Sequence, residues 1–115
     1  MRTNNMKDII WNKQAKETVR SFSTEVKQEI GALLRLLQDG HALGMPQSRP
    51  IRQVHKSAFE LRVKDSSGIF RVFYLVVEKN KILIPHAFTK KTQKTTQKDI
   101  ETGKKRLRRL LDEIK

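Results

Sequence analysis

The chain has 115 residues, a length that suits one compact domain with a single modest core. Lysine and arginine together number 25 against 12 acidic residues, so the formal net charge is +13 and the pI is about 10.4. Such a charge favours nucleic acids, phosphorylated ligands or acidic proteins as partners. Cysteine is absent, which excludes disulfides, thiolate nucleophiles and cysteine-ligated zinc.

The amino-terminal sequence lacks the apolar run of a signal peptide, and no stretch of the chain is apolar for long enough to cross a membrane. We therefore expect an intracellular, cytoplasmic protein with no membrane partner. Residues 1–115 are expected to form a single domain, in which residues 1–5 carry no pattern and are expected to be flexible.

The first half of the sequence predicts a short strand followed by two helices. Residues 7–11 are strand-like, and Asn12 is a good N-cap for a helix over about 13–20. Apolar residues recur at helical spacing over 24–38, which predicts an amphipathic helix. Glycines and prolines in residues 40–50 predict a loop.

The second half predicts three strands and a final helix. Residues 58–64 alternate apolar and polar side chains, residues 69–77 are apolar on both faces, and residues 82–88 follow after a short turn. Short loops favour an antiparallel meander, so the expected fold class is α+β, with the N-terminal helices packed on one face of a small antiparallel sheet and a further helix at the C-terminus. Thr96 and Asp99 resemble a capping box that starts the C-terminal helix. The outer face of this helix is basic: Lys98, Lys104, Lys105, Arg108 and Arg109.

The strand pairing predicts a cluster of basic residues on one face of the sheet. A symmetric turn at 65–68 would place Arg62 opposite Arg71, and because facing like charges destabilise a strand pair by up to about 1 kcal/mol, the pair suggests a bound anion. The alternative is that Glu60 or another acid neutralises the arginines. The same pairing puts His86 and Lys90 on this face, a combination that suits phosphodiester chemistry.

His86 has a second interpretation, since a single histidine is more often structural than catalytic. Without acidic neighbours it does not predict a metal site, and no metal is expected. The segment TKKTQK, residues 89–94, places further lysines between the last strand and the last helix. Their position beside two strand arginines favours contact with a phosphate backbone over a merely solvated loop.

Other classes of chemistry have no support in the sequence. The motifs of nucleotide hydrolysis, dinucleotide binding, zinc proteolysis and nucleophile-elbow serine hydrolysis are all missing. The carboxylates are scattered along the chain and indicate no acid–base pair.

Three segments, SAFELRVKDSSGIFRVFYLVV, ILIPHAFTKKTQKT and DIETGKKRLRRL, resemble the HigB-like, phage-related branch of the RelE/ParE toxin superfamily. The resemblance covers residues 6–112 and implies a RelE-like fold. It also implies the toxin of a type II toxin–antitoxin system, an endoribonuclease that cleaves messenger RNA on the ribosome without metal or cofactor. The implied partner is a HigA-like, helix-turn-helix antitoxin. Pro85 departs from the family pattern, and a proline there implies an edge strand or a bulge.

The resemblance also implies roles for individual residues. The 2′-hydroxyl of the RNA attacks the adjacent phosphate, while basic side chains orient that phosphate, stabilise its charge and move protons. The expected catalytic residues are Arg62, Arg71, His86, Lys90 and Lys94. The expected RNA contacts are Lys64, Tyr74, Lys91, Lys98 and Lys105. Within these sets, Arg62 and Arg71 bind the scissile phosphate and Tyr74 stacks on a base.

Two alternatives stay open at the level of sequence. Some proteins of the same superfamily inhibit DNA gyrase and do not cut RNA, so fold alone does not decide function. In a ParE-like gyrase inhibitor, the basic face of the C-terminal helix should dominate activity. A noncatalytic nucleic-acid-binding module should lose only affinity, in a salt-dependent manner, when its basic residues are replaced.

Overall fold

The computed structural model describes residues 6–77, 80–91 and 94–114. Its elements in chain order are β1 (Asp8–Trp11), α1 (Lys13–Arg20), α2 (Thr24–Gln38), β2 (Ser48–Pro50), β3 (Phe59–Asp65), β4 (Gly68–Val77), β5 (Lys81–Lys90) and α3 (Gln97–Glu113). The expected flexibility of residues 1–5 falls outside the described residues.

The sheet has five strands in the order β1-β5-β4-β3-β2. The predicted meander of β3, β4 and β5 is confirmed and forms its centre. The expectation of a wholly antiparallel sheet was wrong, because β1 pairs in parallel with β5. Since helices α1 and α2, not a hairpin, follow β1, no tight turn fixes its direction relative to a neighbour.

The predicted loop at 40–50 was wrong in its last three residues. Ser48–Pro50 form β2, which pairs antiparallel with β3 at the edge of the sheet. Proline is tolerated on an edge strand because its missing N–H faces away from the ladder. The segment therefore forms a strand although its residue composition predicted a loop. This strand places Arg49 opposite Glu60.

The first two helices form as predicted and pack on one face of the sheet. The side chain of Asn12 accepts a hydrogen bond from the backbone N–H of Ala15, and Ser23 does the same for Val26. Their apolar stripes meet one side of the central strands in a buried cluster that includes Val19, Ile30, Leu34, Leu61, Val72 and Ile84. In the described part of the chain, no helix is both long and apolar enough to cross a bilayer.

Helix α3 covers the face of the sheet opposite α1 and α2, a placement that the sequence did not predict. Its buried residues Ile100, Leu107 and Leu110 pack with Phe73 and Phe88 in a second core. The reason lies in β4, whose side chains are apolar on both faces and need cover on both. The described chain thus forms three layers, with the sheet in the middle.

Pro85 lies in a β-bulge, one of the two placements that its missing backbone N–H implied. Phe73 pairs with His86 but Leu75 pairs with Leu83, so β5 holds one more residue than β4 in this interval. The bulge falls within a central strand and not at an edge. Beyond it, His86 lies on the same face as α3.

Candidate nucleic-acid interface

The register predicted for the basic residues is confirmed. Arg62 pairs with Arg71, and Arg71 pairs with Phe88 on the next strand. Together with the pair formed by Phe73 and His86, this register places the strand arginines and His86 on the α3 face of the sheet. What the register did not determine is how deeply each side chain is buried there.

The two facing arginines are held by Glu60, the neutralising acid that the sequence left as an alternative. Glu60 is fully buried, and its Oε1 lies 3.3 Å from Nη1 of Arg71, 3.6 Å from Nε of Arg62 and 3.5 Å from Nε of Arg49. The hydroxyl of Thr95 donates to Glu60 Oε2 at 2.8 Å and accepts from Arg71 Nη1 at 2.8 Å. We call these five residues the arginine cluster.

Within the arginine cluster, the side chains of Arg62 and Arg71 are buried to different degrees. The side chain of Arg71 is fully buried, whereas that of Arg62 is 12% exposed. The expected direct contact of Arg71 with a phosphate is therefore corrected: its guanidinium is turned to Glu60 and Thr95. Arg62 is the member of the predicted pair that reaches the surface. Burial, followed by the charges of Arg71 and Arg49, lowers the pKa of Arg62, and Glu60 opposes this effect.

A second group, the histidine cluster, joins β5 to the start of α3. His86 Nε2 lies 2.9 Å from Asp99 Oδ1, and Arg106 Nη1 lies 3.2 Å from His86 Nδ1. Asp99 Oδ2 also accepts a hydrogen bond from Thr96 Oγ1 at 2.7 Å and lies 3.5 Å from Lys90 Nζ. The predicted capping box is confirmed, since Thr96 also accepts from the backbone N–H of Asp99.

His86 is buried within this hydrogen-bond network. Because a carboxylate only accepts and a guanidinium only donates, the network assigns the proton to Nε2 and leaves Nδ1 as an acceptor. The residue is 8% exposed, and its ring stacks on Phe88 and meets the edge of Phe73. Burial lowers the pKa of His86, the hydrogen bond to Asp99 opposes this, and the charge of Arg106 adds to the lowering. These contacts agree with a structural role for His86, and its part in catalysis stays a prediction.

The two clusters are joined through adjacent residues of one segment. Thr95 belongs to the arginine cluster and contacts the sheet directly through Glu60 and Arg71. Thr96 belongs to the histidine cluster and reaches the sheet only through Asp99, which contacts His86. Lys94, which is exposed, directly precedes Thr95. Among the described residues, no group of three or more His, Cys, Asp or Glu is placed to hold a metal ion.

Lysines lie close to the arginine cluster along the chain, with Lys64 two residues beyond Arg62 on the same side of β3 and Lys94 directly before Thr95. Lys64, Lys91 and the turn between β3 and β4 line an open depression of about 650 Å³. The side chain of Lys90 is 32% exposed and is held by Asp99. We call the following set the basic face: Arg49, Arg62, Lys64, Lys90, Lys91 and Lys94.

The remaining predicted contacts lie farther from this surface. Lys98 is exposed in the first turn of α3, and Lys105 lies about 10 Å farther along the helix axis on its exposed side. The expectation for Tyr74 is corrected. This residue is 3% exposed on the α1–α2 face, stacked on Phe59 and hydrogen-bonded to the Ser48 hydroxyl at 2.6 Å, so its ring is not available to a base.

Sequence reasoning missed the acidic and hydroxyl groups that organise the site. Glu60 lies two residues from Arg62 on the same strand face, a signal that made it a candidate for neutralising the arginines but not for organising them. Asp99 was identified only as a helix cap. Nothing local in the sequence indicated Thr95 or Arg106, since both reach the sheet only through the docking of α3.

The architecture and the basic face together define a small, basic α+β protein with the fold of RelE toxins. A double arginine-to-alanine variant of the E. coli toxin RelE in the free state superimposes with a TM-score of 0.60 over 91% of this chain and 98% of that one, at 11% identity. A chain of the Mycobacterium tuberculosis toxin–antitoxin complex RelBE2 superimposes with a TM-score of 0.52 over 80% and 100% of the two chains, at 10% identity. The chain belongs to the family of phage-derived, Gp49-like proteins, whose model matches residues 17–108. A search of curated proteins gives no match.

Proposed function

We propose that this protein is the toxin of a type II toxin–antitoxin system, of the HigB-like branch, and that it cleaves messenger RNA on the ribosome. The single observation that carries the proposal is the basic face, where Arg62 reaches the surface two residues from exposed Lys64 on the same side of β3. A surface of this charge binds a phosphate backbone by counterion release. The RelE fold and the Gp49-like family support the toxin assignment.

The chemistry proposed is attack of the RNA 2′-hydroxyl on its own adjacent phosphate. A bond forms between O2′ and phosphorus while the bond between phosphorus and O5′ breaks, which leaves a 2′,3′-cyclic phosphate and a 5′-hydroxyl. One proton leaves O2′ and another reaches O5′. Guanidinium and ammonium groups can stabilise the charge that grows on the phosphate oxygens and can move these protons.

In this proposal the residues of the basic face have different roles. Arg62 binds the scissile phosphate, because its side chain is placed by Glu60 and, unlike that of Arg71, reaches the surface. Lys90, anchored 3.5 Å from Asp99, is the candidate for proton transfer to O5′. Lys64, Lys91 and Lys94 hold the flanking backbone, and Lys98 and Lys105 extend the contact along α3. Arg71 and His86 act as positioning residues behind them.

A neutralising antitoxin is part of the proposal. The M. tuberculosis neighbour is a complex of toxin and antitoxin, and its matching chain shares this fold. With a net charge of +13, this protein suits an antitoxin that has an acidic segment complementary to the basic face. We propose a HigA-like, helix-turn-helix protein in this role, in the cytoplasm.

The test is cleavage of a messenger RNA on purified, programmed ribosomes. Wild-type protein should produce new RNA 5′ ends, Arg62→Ala should abolish them, and Arg62→Lys should retain part of the activity. The matched control is Arg20→Ala, which removes one exposed arginine from α1 on the other face of the sheet. Equal loss of cleavage in Arg20→Ala, or full activity in Arg62→Ala, would refute the assigned site.

A further inference from the structure

Arg49 was not among the site residues predicted from the sequence. It sits on the edge strand β2, directly opposite Glu60, and its side chain is 35% exposed. The backbone N–H of Arg62 donates to the carbonyl of Gln47 at 2.8 Å, which ties the start of this edge to β3. Arg49 is therefore an exposed arginine on a strand that the sheet holds in place.

One carboxylate oxygen holds Arg49 beside Arg62. Glu60 Oε1 lies 3.5 Å from Nε of Arg49 and 3.6 Å from Nε of Arg62, so the two guanidiniums are neighbours on the same side of the sheet. Planar guanidinium forks of this kind bind phosphate oxygens in pairs.

We infer that Arg49 binds a second backbone phosphate of the RNA, next to the one bound by Arg62, and that Glu60 is the positioning residue that sets the spacing of the two. The inference rests on the proposed function and extends its site toward β2. Arg62 then holds the phosphate that reacts, and Arg49 fixes the neighbouring nucleotide. Lys64 and Lys91, which line one depression, then contact the RNA backbone beyond Arg62, on the side away from Arg49.

The arrangement favours a bound anion over a purely structural ion-pair cluster. A cluster that served only stability would hide its charges, yet exposure rises from Arg71, which is fully buried, through Arg62 to Arg49. Burial is the main cause of the lowered pKa of Arg62, and the charges of Arg71 and Arg49 add to it against the opposing charge of Glu60. A bound phosphate would offset the contribution of the two positive charges.

The experiment compares Arg49→Gln with Arg20→Gln, which makes the same charge change on α1. Binding of a short single-stranded RNA with 2′-O-methyl riboses, which cannot be cleaved, is measured by fluorescence anisotropy from low to high salt. Arg49→Gln should reduce the slope of log affinity against log salt by about 0.7, the value for one single-strand phosphate, and Arg20→Gln should change it much less. Arg49→Lys keeps the charge and should restore most of the slope.

Ribosome-dependent cleavage supplies a second readout. Because a flanking phosphate is bound equally in the ground state and the transition state, Arg49→Gln should raise KM roughly tenfold and leave kcat nearly unchanged. Melting temperatures confirm that each variant is folded, and Arg49→Ala replaces Arg49→Gln in both assays if Arg49→Gln is not folded.

Equal salt slopes and KM values for Arg49→Gln and Arg20→Gln would overturn the inference, even if wild-type protein cleaves RNA. A fall in kcat with KM unchanged would also overturn it. If the wild type cleaves nothing but Arg49→Gln still lowers the salt slope, the ribonuclease proposal fails while the phosphate site stands.

Discussion

Glu60→Gln is the most informative perturbation of the fold beneath the site. The change keeps the shape of the side chain and removes the only carboxylate of the arginine cluster, while Arg71 stays fully buried. Removing one partner of a buried ion pair costs about 3 to 5 kcal/mol, because the remaining charge is left without compensation. Glutamine can still hydrogen-bond Thr95, so we expect a loss near the lower end, about 3 kcal/mol.

A loss of this size is a large part of the stability of a small domain, which is about 5 to 15 kcal/mol. At about 4 to 8 °C per kcal/mol for a domain of this size, the melting temperature should fall by roughly 12 to 24 °C. The control is Glu29→Gln, which makes the same change at an exposed position of α2 and should cost less than about 0.5 kcal/mol.

Urea unfolding of the wild type and both variants measures these differences. Adding Arg71→Gln to Glu60→Gln should cost less than the sum of the two single changes, with a coupling of about 2 kcal/mol. If Glu60→Gln melts within about 2 °C of the wild type, the buried carboxylate does not hold the arginines, and the positioning role assigned to it is wrong.

Three further predictions follow from other parts of the molecule. A Cβ on Gly103 would lie 2.6 Å from the ring of buried Phe73, so Gly103→Ala should destabilise by about 1 to 3 kcal/mol in urea unfolding, whereas Gly31→Ala, with open space around it, should stabilise by about 0.5 to 1 kcal/mol. Because the folded pKa of His86 lies below its ordinary 6.5, its contribution to stability is present above pH 6.5 and is lost as the pH falls through the folded value. His86→Gln should therefore flatten the fall in unfolding free energy from pH 7 to 5, and an unchanged profile would contradict the assigned network. A variant in which four surface cations of α3 are replaced by alanine should keep much of the ribosome-dependent cleavage. The four residues are Lys104, Lys105, Arg108 and Arg109. DNA damage that depends on these cations would instead indicate DNA gyrase as the target.

The sequence predicted those elements whose signals are local. Asn12 and Ser23 cap helices that begin where their hydrogen bonds require, and the apolar stripe of α2 matches its buried face. Strand register was equally accessible, because the short turn between β3 and β4 aligns Arg62 with Arg71. Each of these features depends on residues within a few positions of one another.

The features that escaped prediction depend on distant parts of the chain. Whether Arg71 is buried depends on Thr95, which reaches Glu60 only after α3 has docked on the sheet. The placement of α3 on the second face also brings Asp99 into contact with His86. Arg49 was hidden in a segment rich in glycine and proline, since pairing with β3, and not intrinsic preference, makes that segment a strand.

The central claim is that this protein arrests growth by cutting translated messages through its basic face. The most direct measurement expresses the wild type and Arg62→Ala briefly in bacterial cells from a tightly controlled promoter and maps new RNA 5′ ends across the transcriptome. The account predicts new ends within translated messages for the wild type and their loss in a folded Arg62→Ala variant. Growth arrest with intact messages would contradict it.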